Sequence, residues 1–454
     1  MALGKEVFAY ASRTGHGETD LYRILTRTTN SASFGHAPKD VLPLIDAARG
    51  LDDSRVPLVT KGEFHFAVSR VLEDLGRRPE AVTELERSLA LAEEDKEDAA
   101  TIAAIVMRLA NQEKWTQRYE PALIHYRRAK ALYEQTQGHD SLPVADALLG
   151  EADVLATGGD QRTAVALLQE QTRILTVVSA PAGKFLSAEL RAARWYLVLG
   201  DFAAAQRSAD AAAERVAALP DAPAQTHLEV LTALANVAMF RNQFEKALQL
   251  AGQAAVIFEG DEPIDSLPKL QAGIILASVF SSAGAPPDAI RIINIVIQLA
   301  GGEDSRNPDV VPGLLVRGRA EMALGKNAEA ASDCGKASKL IPPTASNTNW
   351  VQSTDCYANA LFAQEKYKEA EPLFQSILTV LGPDPARAIN ERVVALMGLG
   401  ESQTQLARYP EAAKSFADAL SLAEASGDVG VPKLPGIFQW RSELMSGDVY
   451  KRQC

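Results

Sequence analysis

The chain has 454 residues, more than one compact core usually holds, so several domains or an elongated repeat array are expected. Apolar residues make up 47% of it and aromatic residues only 6%, a balance that favours many alanine-mediated helix contacts over a few aromatic-filled cores. The formal charge of −12 argues against sequence-independent binding of the whole chain to nucleic acid or to an anionic membrane.

The first stretch, "MALGKEVFAYASRTGHGETD", lacks the continuous apolar segment of a secretory signal. Within it "GHGETD" (15–20) is a glycine-flanked turn without the Lys-Ser/Thr ending of a phosphate loop. The segment "APKDVLPLIDAARGL" (37–51) carries an apolar stripe at helical spacing, so residues 1–59 are expected to form a helical cap or a degenerate repeat.

From residue 60 to 425 one pattern returns. The stretches "QRYEPALIHYRRAKAL" (117–132), "EKYKEAEPLFQSIL" (365–378) and "LARYPEAAKSFADALSLA" (406–423) share an aromatic, an alanine three residues later and a bulky residue four beyond that. Aligned on the central alanine, the column reads Ala81, Ala122, Ala164, Ala205, Ala247, Ala289, Ala330, Ala370 and Ala412, with steps of 40 to 42 residues. Twelve residues upstream stand Ser69, Ala110, Ala152, Ala193, Ala235, Ala277, Gly318, Ala358 and Gly400, all small. Four downstream stand Leu85, Tyr126, Leu168, Ala209, Ala251, Ile293, Cys334, Phe374 and Phe416.

The spacing predicts nine units, each with two helices joined by a short break such as "LGDF" and followed by a Pro-bearing link. Two antiparallel helices approach closely only where side chains are small, and a single pair cannot bury its own apolar face, so successive pairs must stack. The links, among them "LPDAPAQ", "EGDEPIDSLP" and "LGPDPARA", mix residues that end helices and restart them.

With Leu399-Gly400, Tyr409, Ala412, Phe416 and Ala419, and with Ala358, Tyr367, Ala370 and Phe374, the units resemble tetratricopeptide repeats. Their period exceeds the usual one of about 34 residues and is similar to the kinesin-light-chain type. The resemblance implies an all-α, right-handed solenoid of antiparallel helix pairs whose first helices line a concave groove. It also implies that the residue after each small position points into that groove: Arg70, Asn111, Asp153, Arg194, Asn236, Ser278, Arg319, Asn359 and Glu401. All nine are polar, and Asn and Arg can hydrogen-bond the main chain or carboxylates of an extended peptide. Apolar residues one turn further on, Trp115, Met239, Phe240, Met322 and Phe362, are the candidates for side-chain pockets. The competing reading of the same column is the solvated face of amphipathic helices.

No chemistry competes with binding. The six histidines are scattered, none at metal-ligand spacing to another, and His65 and His125 fall in helices where packing is expected. Cys334, Cys356 and Cys454 make no CxxC pair and suggest neither zinc nor a disulfide framework, which fits a reducing compartment. Cys334 falls in a packing column and is expected to be inert. "AGIILASVF" (272–280) is too short to span a bilayer, so a cytoplasmic chain is expected.

The expected function is a non-enzymatic scaffold for protein or peptide segments, without cofactor or metal, with no nucleic-acid partner and no membrane insertion. Self-association is a third reading. The alternative is a sensor or regulatory repeat region of a bacterial serine/threonine kinase or transcription regulator, since "DLYRILTRTTNSASFGHAPKDVLPLIDAARGLDD" weakly resembles the joining segment in such proteins. After the last unit, "LPGIFQWRSELM" (434–445) resembles the opening helix of a further, truncated unit over 426–447. The tail 448–454, with "DVYKRQ", matches what a sequencing adapter would encode and is set aside from fold reasoning.

Overall fold

The computed structural model describes residues 17–34, 38–49, 53–219, 221–302, 310–344, 348–384 and 388–425. The segment 426–447, the tail 448–454 with Cys454, and His16 and His36 lie outside the described residues. Among those described the chain forms 20 α-helices, one short 3₁₀ turn and no strand. The fold is an α-solenoid of antiparallel helix pairs.

The chain divides into two compact units, Met1–Arg215 and Val216–Cys454. The first holds α1 (Glu18–Phe34), α2 (Leu42–Arg49), α3 (Leu58–Asp74), α4 (Arg78–Glu94), α5 (Ala99–Trp115), α6 (Tyr119–Gln137), α7 (Leu142–Thr157), α8 (Gln161–Val177), α9 (Ala182–Val198) and nearly all of α10 (Phe202–Ala217). The second holds α11 (Ala224–Phe240), α12 (Phe244–Glu259), α13 (Ser266–Ser282), α14 (Pro286–Leu299), α15 (Val311–Ala323), α16 (Asn327–Leu340), α17 (Thr348–Phe362), α18 (Tyr367–Leu381), α19 (Ile389–Gln405) and α20 (Tyr409–Ala425).

Both alanine-rich columns are interior. Every central alanine, from Ala81 to Ala412, has 0% exposure, and the small residues twelve upstream are buried as well. Ala205 and Ala247, whose exposure to water would have refuted the hairpin reading, are enclosed. The bulky column then fills the space between pairs. Tyr126 of α6 lies over Gly150 of α7, where an added Cβ would come within 2.1 Å of its ring. Phe374 of α18 lies over Gly398 of α19 at 2.3 Å in the same way, and Val296 of α14 over Gly273 of α13 at 2.3 Å. Close backbone approach at these points requires glycine.

The recurring aromatics Tyr119, Phe202, Phe244, Tyr367 and Tyr409 each open a second helix. Two residues before the second helix starts, the backbone turns left-handed in all nine pairs. Gly76, Gly159, Gly200, Gly284 and Gly325 serve there, and so do Gln117, Asn242, Glu365 and Ala407. The turn satisfies the orphan carbonyls of the first helix: Gly200 N–H donates to Leu197 O at 3.1 Å and Asp201 N–H to Tyr196 O at 3.0 Å. Asp201 then caps the second helix by accepting from Ala204 N–H at 2.9 Å.

One expectation is overturned. Cys334 of α16 and Cys356 of α17 form a disulfide across 22 residues of sequence, linking a second helix to the first helix of the next pair. Neither CxxC spacing nor a dense cysteine framework marks it, because the repeat, not local spacing, brings the two thiols together. Cys334 is buried as expected, but as a cross-link. The cysteines therefore lend no support to a reducing compartment.

Candidate functional site

Within each unit the first helices of successive pairs lie side by side, so residues one repeat apart become neighbours across helices. In the first unit charge pairs exploit this. Arg108 of α5 donates to both carboxylate oxygens of Glu73 on α3, at 2.8 and 2.6 Å. Asp153 of α7 accepts from Lys114 Nζ of α5 at 2.9 Å and from Arg191 Nε of α9 at 2.7 Å. Burial alone would raise the Asp153 carboxyl, but Arg191 and Lys114 outweigh it and hold the group below its ordinary range. Asp153 thus serves its neighbours first.

Arg194, one turn along α9 from Arg191, is exposed yet crowded. It makes no hydrogen bond or ion pair among the described residues; desolvation and the like charge of Arg191 push its guanidinium down, with Asp153 in partial compensation. Asn111 of α5 is half-buried, and its Oδ1 accepts from Tyr126 Oη at 2.7 Å. Arg70 of α3 is half-buried. Trp115, 49% exposed, stands at the C-terminal end of α5 beneath the Arg78 guanidinium, 4.9 Å from its ring centroid.

In the second unit Asn236 of α11 is half-buried. Ser278 of α13 turns back on its own helix, donating to Ile274 O at 2.8 Å. Arg319 of α15 is exposed and makes no hydrogen bond or ion pair among the described residues; burial lowers its guanidinium and Asp355 of α17 opposes that. Asn359, one turn beyond Asp355, donates from Nδ2 to the Asp355 carbonyl at 2.9 Å. Desolvation raises the Asp355 carboxyl to about 6 against the pull of Arg319 and Asn359, and its Oδ1 has no protein donor. Burial likewise raises Glu401 of α19. Phe240 is 50% exposed at the end of α11, whereas Phe362 packs edge-on against Tyr367, ring centroids 5.0 Å apart, and joins the α16–α19 core. Met239 and Met322 are part-buried against core clusters.

Residues 101–176, which span α5, α6, α7 and nearly all of α8, match the family described as tetratricopeptide repeat. The segment 101–176 carries tetratricopeptide repeats. No curated protein matches the sequence. Among solved structures, the apo form of the quorum sensor NprR from B. thuringiensis is similar at TM-score 0.53 and 12% identity, over 79% of this chain and 98% of that one. A monomeric mutant of IFIT1 with Gppp-AAAA is similar at TM-score 0.51 and 13% identity, over 84% of this chain and 81% of that one. A tetratricopeptide repeat protein from Parabacteroides merdae ATCC 43184 aligns at TM-score 0.47 and 15% identity, over 66% of this chain and 99% of that one. These likenesses concern the fold.

The structure groups Asp153 with Arg194 and adds three residues the single-column reading missed: Lys114, Arg191 and Asp355. The signal was available. Lys114 lies three residues after Asn111, Arg191 three before Arg194 and Asp355 four before Asn359, offsets that share a helical face. Asp153 also stands 39 residues from Lys114 and 38 from Arg191, close to one repeat.

The helical histidines bond within their own repeats. His65 Nδ1 lies 2.5 Å from Glu84 Oε2 and His125 Nδ1 2.7 Å from Glu113 Oε2, each between the two helices of a pair. Among the described residues no group of three His, Cys, Asp or Glu side chains could hold a metal ion, and no helix is long and apolar enough to cross a membrane.

Proposed function

We propose that the chain is a non-enzymatic scaffold whose first-helix face binds an extended protein or peptide segment. The observation that carries this reading is the state of Arg194 and Arg319: both are exposed cations without an ion pair, although oppositely charged neighbours elsewhere on the same face are paired. A merely solvated face has no reason to crowd a guanidinium and withhold a partner. Asn111 and Asn236 offer amide groups to a passing main chain, and Trp115 and Phe240 are exposed enough to take apolar side chains. Phe362 is engaged in core packing and contributes less.

The test combines Arg194→Glu with Asn236→Ala and measures capture of partners from the native host against the unaltered chain. Loss of a captured partner at unchanged helicity supports the scaffold, and undiminished capture refutes it. On the alternative reading the same face is the sensing half of a kinase or transcription regulator. A Gly-rich loop, a lysine strand and an HRD motif encoded upstream of Met1 would establish that reading.

A further inference from the structure

We propose that Arg194 of α9 seats an oxyanion, a carboxylate or a phosphate, carried by the segment bound on the first-helix face of the first unit. The proposal deepens the reading of this face as a binding surface and rests on it. The balance of charge on two neighbouring helices carries it. The acids of α7 and α9 are Asp146, Glu151, Asp153 and Glu189, and each is already engaged. Asp146 accepts from Lys184 Nζ at 2.5 Å, Glu151 from Arg127 Nε at 2.7 Å and Glu189 from Arg215 Nε at 3.0 Å. Asp153 is shared between Arg191 and Lys114, at 2.7 and 2.9 Å. Arg194 is the cation left over: it is exposed and makes no hydrogen bond or ion pair among the described residues.

Position on the helix sets the chemistry of the guest. Arg191 and Arg194 stand three residues apart on α9 and so share a face, which places Arg194 beside a carboxylate that two other cations already hold. Asp153 cannot turn to Arg194 without abandoning Arg191 and Lys114. Three cations therefore gather at one acid, and the excess charge is positive. An ammonium would be repelled there, and a neutral amide would leave the excess in place. An oxyanion neutralises it and fits the unused guanidinium, whose planar fork offers parallel N–H donors to two oxygens at once. Desolvation and the like charge of Arg191 already press on this guanidinium. A bound anion relieves the second pressure directly.

A displayed library of random peptides, selected on the full chain, supplies the probe. Selected peptides are remade with each Asp or Glu changed to its amide, with the terminal carboxylate amidated, and with phosphoserine in place of each acid. Removal of one carboxylate is expected to weaken binding about tenfold, the usual scale for a hydrogen bond between charged groups, and to name the group that Arg194 holds. Phosphoserine at that place binding more tightly than the acid would identify phosphate as the preferred source, and weaker binding the carboxylate. Arg194→Met should weaken the unaltered peptide about tenfold at unchanged helicity and should not add to the peptide change in a double-mutant cycle. Peptides that are weakened by Trp115→Ala, yet lose less than about twofold to Arg194→Met or to removal of every carboxylate, would overturn the oxyanion seat alone. Failure to select any peptide, or selection only of peptides indifferent to both variants, would overturn the binding face together with it.

Discussion

Ala407 holds φ at 59° in the turn before α20, and Gly200 holds 74° in the equivalent turn before α10. Only glycine adopts that region without its Cβ meeting the following carbonyl. No atom lies within 4 Å of where a Cβ on Gly200 would stand, so Gly200→Ala isolates the backbone term. It should cost about 1 kcal/mol in urea unfolding, and Ala407→Gly should gain roughly 0.5–1 kcal/mol. A gain from Gly200→Ala would contradict the left-handed turn. These positions were legible only in part: glycine marks five of the nine turns, while Gln117, Asn242, Glu365 and Ala407 show nothing unusual as letters. Packing of the helix pair holds them where propensity would not.

At the scale of single helices, α15, α16 and α17 carry two devices, a cross-link and a buried acid. The Cys334–Cys356 disulfide closes 22 residues, for which the chain-entropy estimate is about 3 kcal/mol. Cys356→Ser should lower the unfolding midpoint of the oxidised protein and change nothing under reductant; an equal midpoint in both forms would exclude the cross-link. The second device is Glu321 of α15, buried with Oε2 lacking a protein partner. Desolvation first, then Asp333, raise its carboxyl to about 7 from 4.5, against the pull of Arg317. The folded protein therefore holds this proton more tightly than the unfolded chain, and the group costs stability increasingly as pH rises from about 4.5 to 7. Glu321→Gln should leave stability unchanged at pH 4 and raise it at pH 8 by an amount on the order of 2 kcal/mol. No difference between the two pH values would show that the carboxyl is not perturbed.

Within each unit, contacts run from one helix pair to the next, so damage should remain local. Gly398→Ala drives a methyl into Phe374, whose ring atoms lie 2.3 Å from the added Cβ, and should cost roughly 1–3 kcal/mol. Amide exchange should quicken in α18, α19 and α20 while α5 to α8 keep their protection. Uniform loss of protection would argue for one cooperative body instead of a stack. The division after Arg215 left no trace in the repeat, which continues through it at steps of 41 and 42 residues.

By itself the sequence determined the helix pairs, their order and which alanines face inward, because those follow from the period of apolar and small residues along one chain. The tertiary structure alone decided that Asp153 is held by Lys114 and Arg191 and that Cys334 meets Cys356. Such pairings depend on the lateral offset between stacked helices. The repeat brings Asp153 and its partners to 39 and 38 residues' separation, but which side chains within that turn meet is set by the offset, and a shift of one helical turn would exchange every partner.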